Sequence, residues 1–206
     1  MTALVLDNFL PYPNVVRGWA TTQEFYNAKE FTIKHGKHTD WPGRRTDHVS
    51  DLDNTYADVV LTQIANIANR SFGITGVSIR SYFQLTLEDD GDSWVHQDND
   101  IDLAGILYLN PNAPVNSGTT LYRCKDVAKW ESFMSTGEGY NTLKTINSVD
   151  NPQLYNDLFQ PIDVIGNVFN RLILYPGLSY HKSNSYFGDS VENGRLTQVF
   201  FIKRDQ

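Results

Sequence analysis

From Val77 to Leu87 the apolar pattern repeats every second residue, and no helical period appears between there and residue 123. Val77, Ile79, Phe83, Leu85 and Leu87 fall on one face of a strand together with Ser81, while Arg80, Tyr82, Gln84 and Thr86 share the other. An acidic turn, Glu88 to Asp92, leads to a second short strand at 94–98. Ala104 to Asn110, closed by Pro111, reads as a buried strand, and Thr119 to Arg123 as another after the turn region from Asn112 to Gly118. Four strands this close, with turns and no helix between them, predict an antiparallel sandwich or barrel rather than β-α units. The polar face of the 77–87 strand suits either the inner wall of a barrel around a polar ligand or an edge strand facing water.

The rest of the chain supports such a sheet. Residues 3–6 read as a strand, and Asn14 as the cap of a short helix to about Ala20. Residues 35–50 lack any period and read as a loop. Its segment Trp41-Pro42-Gly43-Arg44-Arg45 suits a substrate-facing lid or a solvated connection. Asp53 or Asn54 can cap a helix from about Thr55 to Asn69, whose Tyr56, Val60, Ile64 and Ile67 make an apolar face, flanked by Leu61 and Ala68. Residues 124–160 read as an insertion containing a short helix at Val127 to Met134. Strands resume at Ile162 to Ile165, Arg171 to Tyr175, Tyr180-His181 and Arg195 to Lys203. The expectation is one domain over 1–206: supporting elements in 1–75, and a strand-rich core in 76–206 carrying the insertion at about 124–160.

Composition narrows the function. A net charge of −7 argues against a nucleic-acid surface. The single cysteine, Cys124, leaves no internal disulfide and fits a reducing compartment; with no histidine near it in sequence, it reads as a small buried hydrophobe rather than a nucleophile. The first ten residues lack the basic leader and unbroken apolar run of a signal peptide, and no stretch approaches a membrane span. The expected setting is soluble and cytoplasmic.

Within Trp94-Val95-His96-Gln97-Asp98, strand alternation puts His96 and Asp98 on one face. An imidazole and a carboxylate so placed are two of the three ligands of a 2-His-1-carboxylate iron site, which leaves three coordination positions open. The pair alone is weak evidence, since it arises by chance in Asp-rich turns. His181 stands at a strand-like position that could return toward it. Arg195 opens the last strand and shares a face with Thr197, Val199 and Phe201. A guanidinium facing into a barrel needs a carboxylate, and a ligand's carboxylate serves if no protein acid does.

Taken in order, His96-Gln-Asp98, Ile106-Leu-Tyr-Leu-Asn110, Gly118-Thr-Thr-Leu121, Arg171-Leu-Ile-Leu-Tyr-Pro176, His181 and Gly194-Arg195 resemble the 2-oxoglutarate/Fe(II)-dependent dioxygenases, most closely the prolyl 4-hydroxylase-like branch. Val5-Leu-Asp-Asn-Phe-Leu10 extends the resemblance toward the start. It implies a mainly β fold, a double-stranded β-helix (jelly roll) with helices packed on one sheet. It also implies His96, Asp98 and His181 as the Fe(II) ligands and Arg195 as the anchor of the distal carboxylate of 2-oxoglutarate. Tyr108 is expected to hydrogen-bond that co-substrate, or else to be a core aromatic. Tyr82, Gln84 and Thr197 are further co-substrate candidates by strand phase. The implied activity is O₂-dependent hydroxylation of an unactivated C–H bond in a peptidyl (prolyl-type) or small-molecule substrate, with 2-oxoglutarate converted to succinate and CO₂ and ascorbate as an accessory cofactor. Asp98 argues against halogenation, because the family's halogenases lack that carboxylate. The loop from Ser183 to Gly194, with Tyr186 and Phe187, joins the 35–50 loop as a candidate for shaping substrate access. The alternatives are a non-catalytic jelly-roll binding or structural module, and a zinc hydrolase, which leaves Arg195 unexplained.

Overall fold

The computed structural model describes residues 2–36, 41–91, 93–135 and 152–205. Its strands are β1 (Leu4–Leu6), β2 (Tyr26–Asn27), β3 (Arg44–Arg45), β4 (Val77–Thr86), β5 (Leu103–Tyr108), β6 (Thr119–Cys124), β7 (Phe159–Ile165), β8 (Leu172–Pro176), β9 (Tyr180–Ser183) and β10 (Arg195–Arg204). The helices are α1 (Pro13–Thr21), α2 (Ala28–His35), α3 (Val49–Leu52), α4 (Asn54–Phe72), α5 (Val127–Ser135) and α6 (Pro152–Leu158). Among the described residues the strands form two antiparallel sheets: a seven-stranded one in the order β1-β8-β5-β10-β4-β3-β2 and a three-stranded one in the order β7-β6-β9. This is the expected double-stranded β-helix, mainly β with supporting helices, but the helices pack on both sheets rather than on one.

Strand alternation divides the interior into layers. Phe83, Leu103, Leu107, Leu196 and Phe200 face the helices and pack against Ala57, Val60, Ile64 and Ala68 of α4. From the opposite face Ile106, Tyr108, Ile173, Tyr175 and Val199 meet Leu121 and Ile165 of the smaller sheet. A third cluster, Val95, Tyr122, Trp130, Tyr155, Leu158 and Phe159, covers the outside of that sheet with α5 and α6. The polar face of β4 therefore turns inward between the sheets, which resolves the choice between barrel wall and water-facing edge.

Ser81, the polar residue on the apolar face of β4, also has its explanation. Tyr56 of α4 donates to Gln198 Oε1 at 2.6 Å, and Gln198 Nε2 donates to Ser81 Oγ at 3.0 Å. The Ser81 N–H in turn donates to His48 Nε2 at 3.2 Å. Polar groups taken out of water keep their hydrogen bonds within the chain.

Several local expectations need correction. Asn14 does not cap α1: Tyr12 holds the cap position with no side-chain hydrogen bond, and Pro13, its φ already helical, takes the first turn. Asp53 does cap α4, accepting from Tyr56 N, and the helix runs on to Phe72 before Gly73 closes it at φ 68°. Its fully buried stripe is Ala57, Val60, Ile64 and Ala68, with Tyr56, Leu61 and Ile67 at the margins. The 35–50 stretch is not all loop: α2 ends at His35, and β3 and the start of α3 lie within it. Residues 94–98 are not a strand but carry one isolated bridge, His96 to His181. The insertion is shorter than 124–160, because β7 begins at Phe159; residues 136–151 of it lie outside the described residues.

Candidate metal centre

His96 and His181 exchange both backbone hydrogen bonds, N to O at 3.0 Å and 2.9 Å. That single bridge brings their rings to a centroid separation of 4.2 Å. Asp98 is held by its own N–H donating to Gly177 O at 2.9 Å, on the turn between β8 and β9. One ligand atom each from His96, Asp98 and His181 lies within 4.8 Å of the others, with His181 Nε2 at 3.6 Å from Asp98 Oδ2.

The outer hydrogen bonds fix which nitrogens face inward. His96 Nδ1 lies 3.0 Å from Trp94 O, and His181 Nδ1 lies 2.9 Å from Ser179 O. A carbonyl oxygen only accepts, so each Nδ1 carries the proton and each Nε2 presents a lone pair. Burial, chiefly, pushes His181 down to about 4, with the neighbouring His96 adding to the shift and Asp98 opposing it. A histidine held neutral is ready to bind a cation. Two neutral imidazoles and a carboxylate on one side of a cavity suit Fe(II) and leave room for further ligands.

The three residues open onto a cavity of about 280 Å³, whose wall also carries Thr119, Tyr175, Ser183, Thr197 and Arg195. Arg195 is 2% exposed. Its Nε donates to Ser117 O at 2.9 Å, while its Nη2 is buried with no hydrogen-bond partner. No carboxylate among the described residues pairs with it. Directly opposite Arg195 on β4, and so on the same face, stands Thr86, whose buried hydroxyl also lacks a partner. A guanidinium and a hydroxyl left open on one rung make a ready site for a carboxylate supplied by a ligand.

The other candidates from the sequence fall in different places. Tyr108 is fully buried beneath Arg195, ring centroid 5.7 Å from the guanidinium carbon, and its hydroxyl donates to Thr119 Oγ1 at 2.8 Å. Gln84 lines the cavity, where its Oε1 accepts from Arg45 Nε at 3.0 Å. Thr197 lines it too, and its hydroxyl lies 3.4 Å from Gln84 O. Tyr82 stands apart from the metal-ligand cluster, on the wall of an adjoining outer chamber. From the two loops, Trp41, Pro42, Arg45 and Tyr186 reach the cavity. Thr86 and Tyr175 were missed. Strand phase places Thr86 with Gln84, and Tyr175 with Ile173, but the sequence does not say which hydroxyl stays unbonded.

Comparison with known proteins places the fold. Among solved structures the chain is similar to a prolyl-4-hydroxylase from Pseudomonas putida (TM-score 0.55, 14% identity, covering 100% of this chain and 94% of that one). It is similar to HygX from Streptomyces hygroscopicus with nickel, 2-oxoglutarate and hygromycin B bound (TM-score 0.63, 11% identity, 98% and 83% covered). It is also similar to a Trichoplax adhaerens prolyl hydroxylase in complex with a hypoxia inducible factor peptide fragment (TM-score 0.54, 13% identity, 98% and 83% covered). The fold is that of the 2-oxoglutarate/Fe(II) oxygenases. No curated protein matches the sequence. With residues 1–202 matched, the chain belongs to the family described as "Family of unknown function (DUF6445)".

Proposed function

We propose that the chain is a single Fe(II)- and 2-oxoglutarate-dependent dioxygenase domain that hydroxylates an unactivated C–H bond of a peptidyl or small-molecule substrate. The observation that carries the reading is one cavity joining a His-Asp-His cluster to a buried, unpaired guanidinium. A metal site alone fits many chemistries. The open Arg195 on the same wall asks for a small carboxylate ligand beside the metal, which is what 2-oxoglutarate offers. The peptide and hygromycin B bound by the similar hydroxylase and HygX are consistent with either substrate class.

His96, Asp98 and His181 would hold the iron, through both Nε2 atoms and a carboxylate oxygen. Arg195 and the Thr86 hydroxyl would take the distal carboxylate of 2-oxoglutarate, with Tyr108 stacked below and Thr197 and Gln84 on the adjacent wall. When bound, iron and 2-oxoglutarate together supply the oxidising power that uses O₂ to convert a C–H bond to an alcohol, with succinate and CO₂ as co-products and ascorbate as an accessory reductant. The protein's part is to orient and to exclude water: Ala104, Ile106, Val199 and Phe201 line the cavity with apolar surface.

A non-catalytic module gives no reason to keep a buried guanidinium without a partner, which costs stability. Calorimetric titration of 2-oxoglutarate into the Ni(II)-loaded chain tests the assignment. Arg195→Ala is expected to weaken binding at least tenfold, the size of one charge-assisted hydrogen-bond pair, or about 1.4 kcal/mol. Equal affinity in the two proteins would remove Arg195 from the co-substrate site and favour the module.

A further inference from the structure

A second chamber, about 680 Å³ in volume, adjoins the first, and Trp41, Arg45, Gln97, Asp98 and Phe201 line both. Its size is that of a site for a whole small molecule or a few residues of a peptide. Arg45 stands at the junction. Its guanidinium carbon lies 4.2 Å from the ring centroid of Trp41 and 5.2 Å from that of Phe201, and Nε is spent on Gln84. Arg80 approaches the same Phe201 ring at 5.9 Å from the outer side. Two cations thus gather at one aromatic ring, and among the described residues neither has a carboxylate within ion-pair distance. Asp51 and Asp100 line the chamber without reaching either of them. The charge that most supports Arg45 is Asp98, and a metal bound there would claim that carboxylate. Arg45 is half-buried and already held against its two rings, so it pays no further large ordering cost on meeting an anion.

Building on the dioxygenase reading, we propose that this chamber is the substrate site and that Arg45, with Arg80, binds an anionic oxygen group of the substrate, a carboxylate or a phosphate. The aromatic surfaces of Trp41, Tyr82, Phe31 and Phe201 would receive the apolar body attached to it. Arg45 lines the metal cavity as well, so the anion anchors the substrate near its reacting end. The substrate class is therefore an acid with an apolar or aromatic portion, rather than a neutral or cationic molecule.

The probes are benzoate, benzamide and phenyl phosphate, alike in ring and different in charge. Binding is read by ligand-observed NMR titration in two backgrounds: the full chain loaded with Ni(II) and saturating 2-oxoglutarate, where Arg195 is occupied, and the unloaded Arg195→Ala chain, where it is gone. Benzoate or phenyl phosphate should bind at least fivefold more tightly than benzamide in both backgrounds. Whichever of the two is tighter identifies the anion as carboxylate or phosphate. Arg45→Gln should abolish the preference, and Arg80→Gln, a change at the exposed rim that leaves the packing intact, should reduce it. The affinity for 2-oxoglutarate in Arg45→Gln should stay within threefold of the parent. Equal binding of benzoate and benzamide overturns the proposal, as does a tenfold loss of 2-oxoglutarate binding in Arg45→Gln, which would assign Arg45 to the co-substrate. Failure of the chain to take up Ni(II) and 2-oxoglutarate counts against the dioxygenase reading alone, since the unloaded arm still reports on Arg45.

Discussion

His96 and His181, 85 residues apart in sequence, are joined by one reciprocal pair of backbone hydrogen bonds outside any named ladder. His181 is carried by β9 and paired with Leu121 of β6, whereas His96 and Asp98 are held to it only by that bridge and the turn that follows. Each imidazole is then oriented by a carbonyl two residues earlier in its own chain, Trp94 O or Ser179 O.

Gly177 is the point at which this arrangement can be disturbed without touching a ligand. A Cβ built there would lie 2.5 Å from Ile101 O and 2.8 Å from Asp98 O, both rigid backbone atoms. Gly177→Ala should push the Asp98 turn outward and weaken Ni(II) binding at least tenfold, with a stability loss of about 1–3 kcal/mol. Metal titration followed by thermal unfolding tests this; unchanged metal affinity would show that the turn absorbs the methyl group.

Asn110 does comparable work beneath Arg195. Its Nδ2 donates to Gly194 O and its Oδ1 accepts from Leu196 N, both at 2.7 Å, so it brackets the arginine. Asn110→Ala leaves two backbone groups in a buried place without partners, and should cost about 2–4 kcal/mol in urea unfolding. A loss under about 1 kcal/mol would mean that water replaces the amide.

His48 gives the apo chain a pH dependence away from the metal. Burial, chiefly, lowers its pKa below 6.5, with Arg80 adding to that effect and Asp51 and a hydrogen bond to the Ile79 backbone carbonyl opposing it. Its neutral Nε2 receives the Ser81 N–H, and its ring meets Tyr82 edge-on at 5.4 Å. Below pH 6.5 the unfolded chain takes up this proton before the folded one does. Stability from this group is thus complete above 6.5 and is lost progressively as pH falls from there through the folded value. Between pH 7.5 and 5.5, Tm should fall less in His48→Asn than in the parent. Identical pH profiles would contradict the assignment.

How much the sequence disclosed follows from the range of the interactions involved. The strands, α4 and its Asp53 cap declare themselves through periodicity and local hydrogen bonding. The capping box of α2, Asn27 with Glu30, is equally local, yet it stands before a stretch with little amphipathic pattern, so periodicity does not reveal that helix. The His96 bridge imitates a strand because alternation needs only a few residues, whereas a ladder needs a neighbour along its length. At the site, His96, Asp98, His181 and Arg195 stand out by residue type and order. Thr86 and Tyr175 do not, because what distinguishes them, an orphaned hydroxyl and a ring centroid 4.8 Å from that of His181, arises only when distant strands meet.

The most direct measurement is an anaerobic titration of the apo chain with Fe(II), alone and then with 2-oxoglutarate, followed in the visible region. The account predicts a weak charge-transfer band that requires both additions, disappears in His96→Ala, and in Arg195→Ala needs at least tenfold more 2-oxoglutarate. No band in the parent chain, with neither iron nor 2-oxoglutarate bound, would contradict it and leave a jelly roll without the chemistry of its fold.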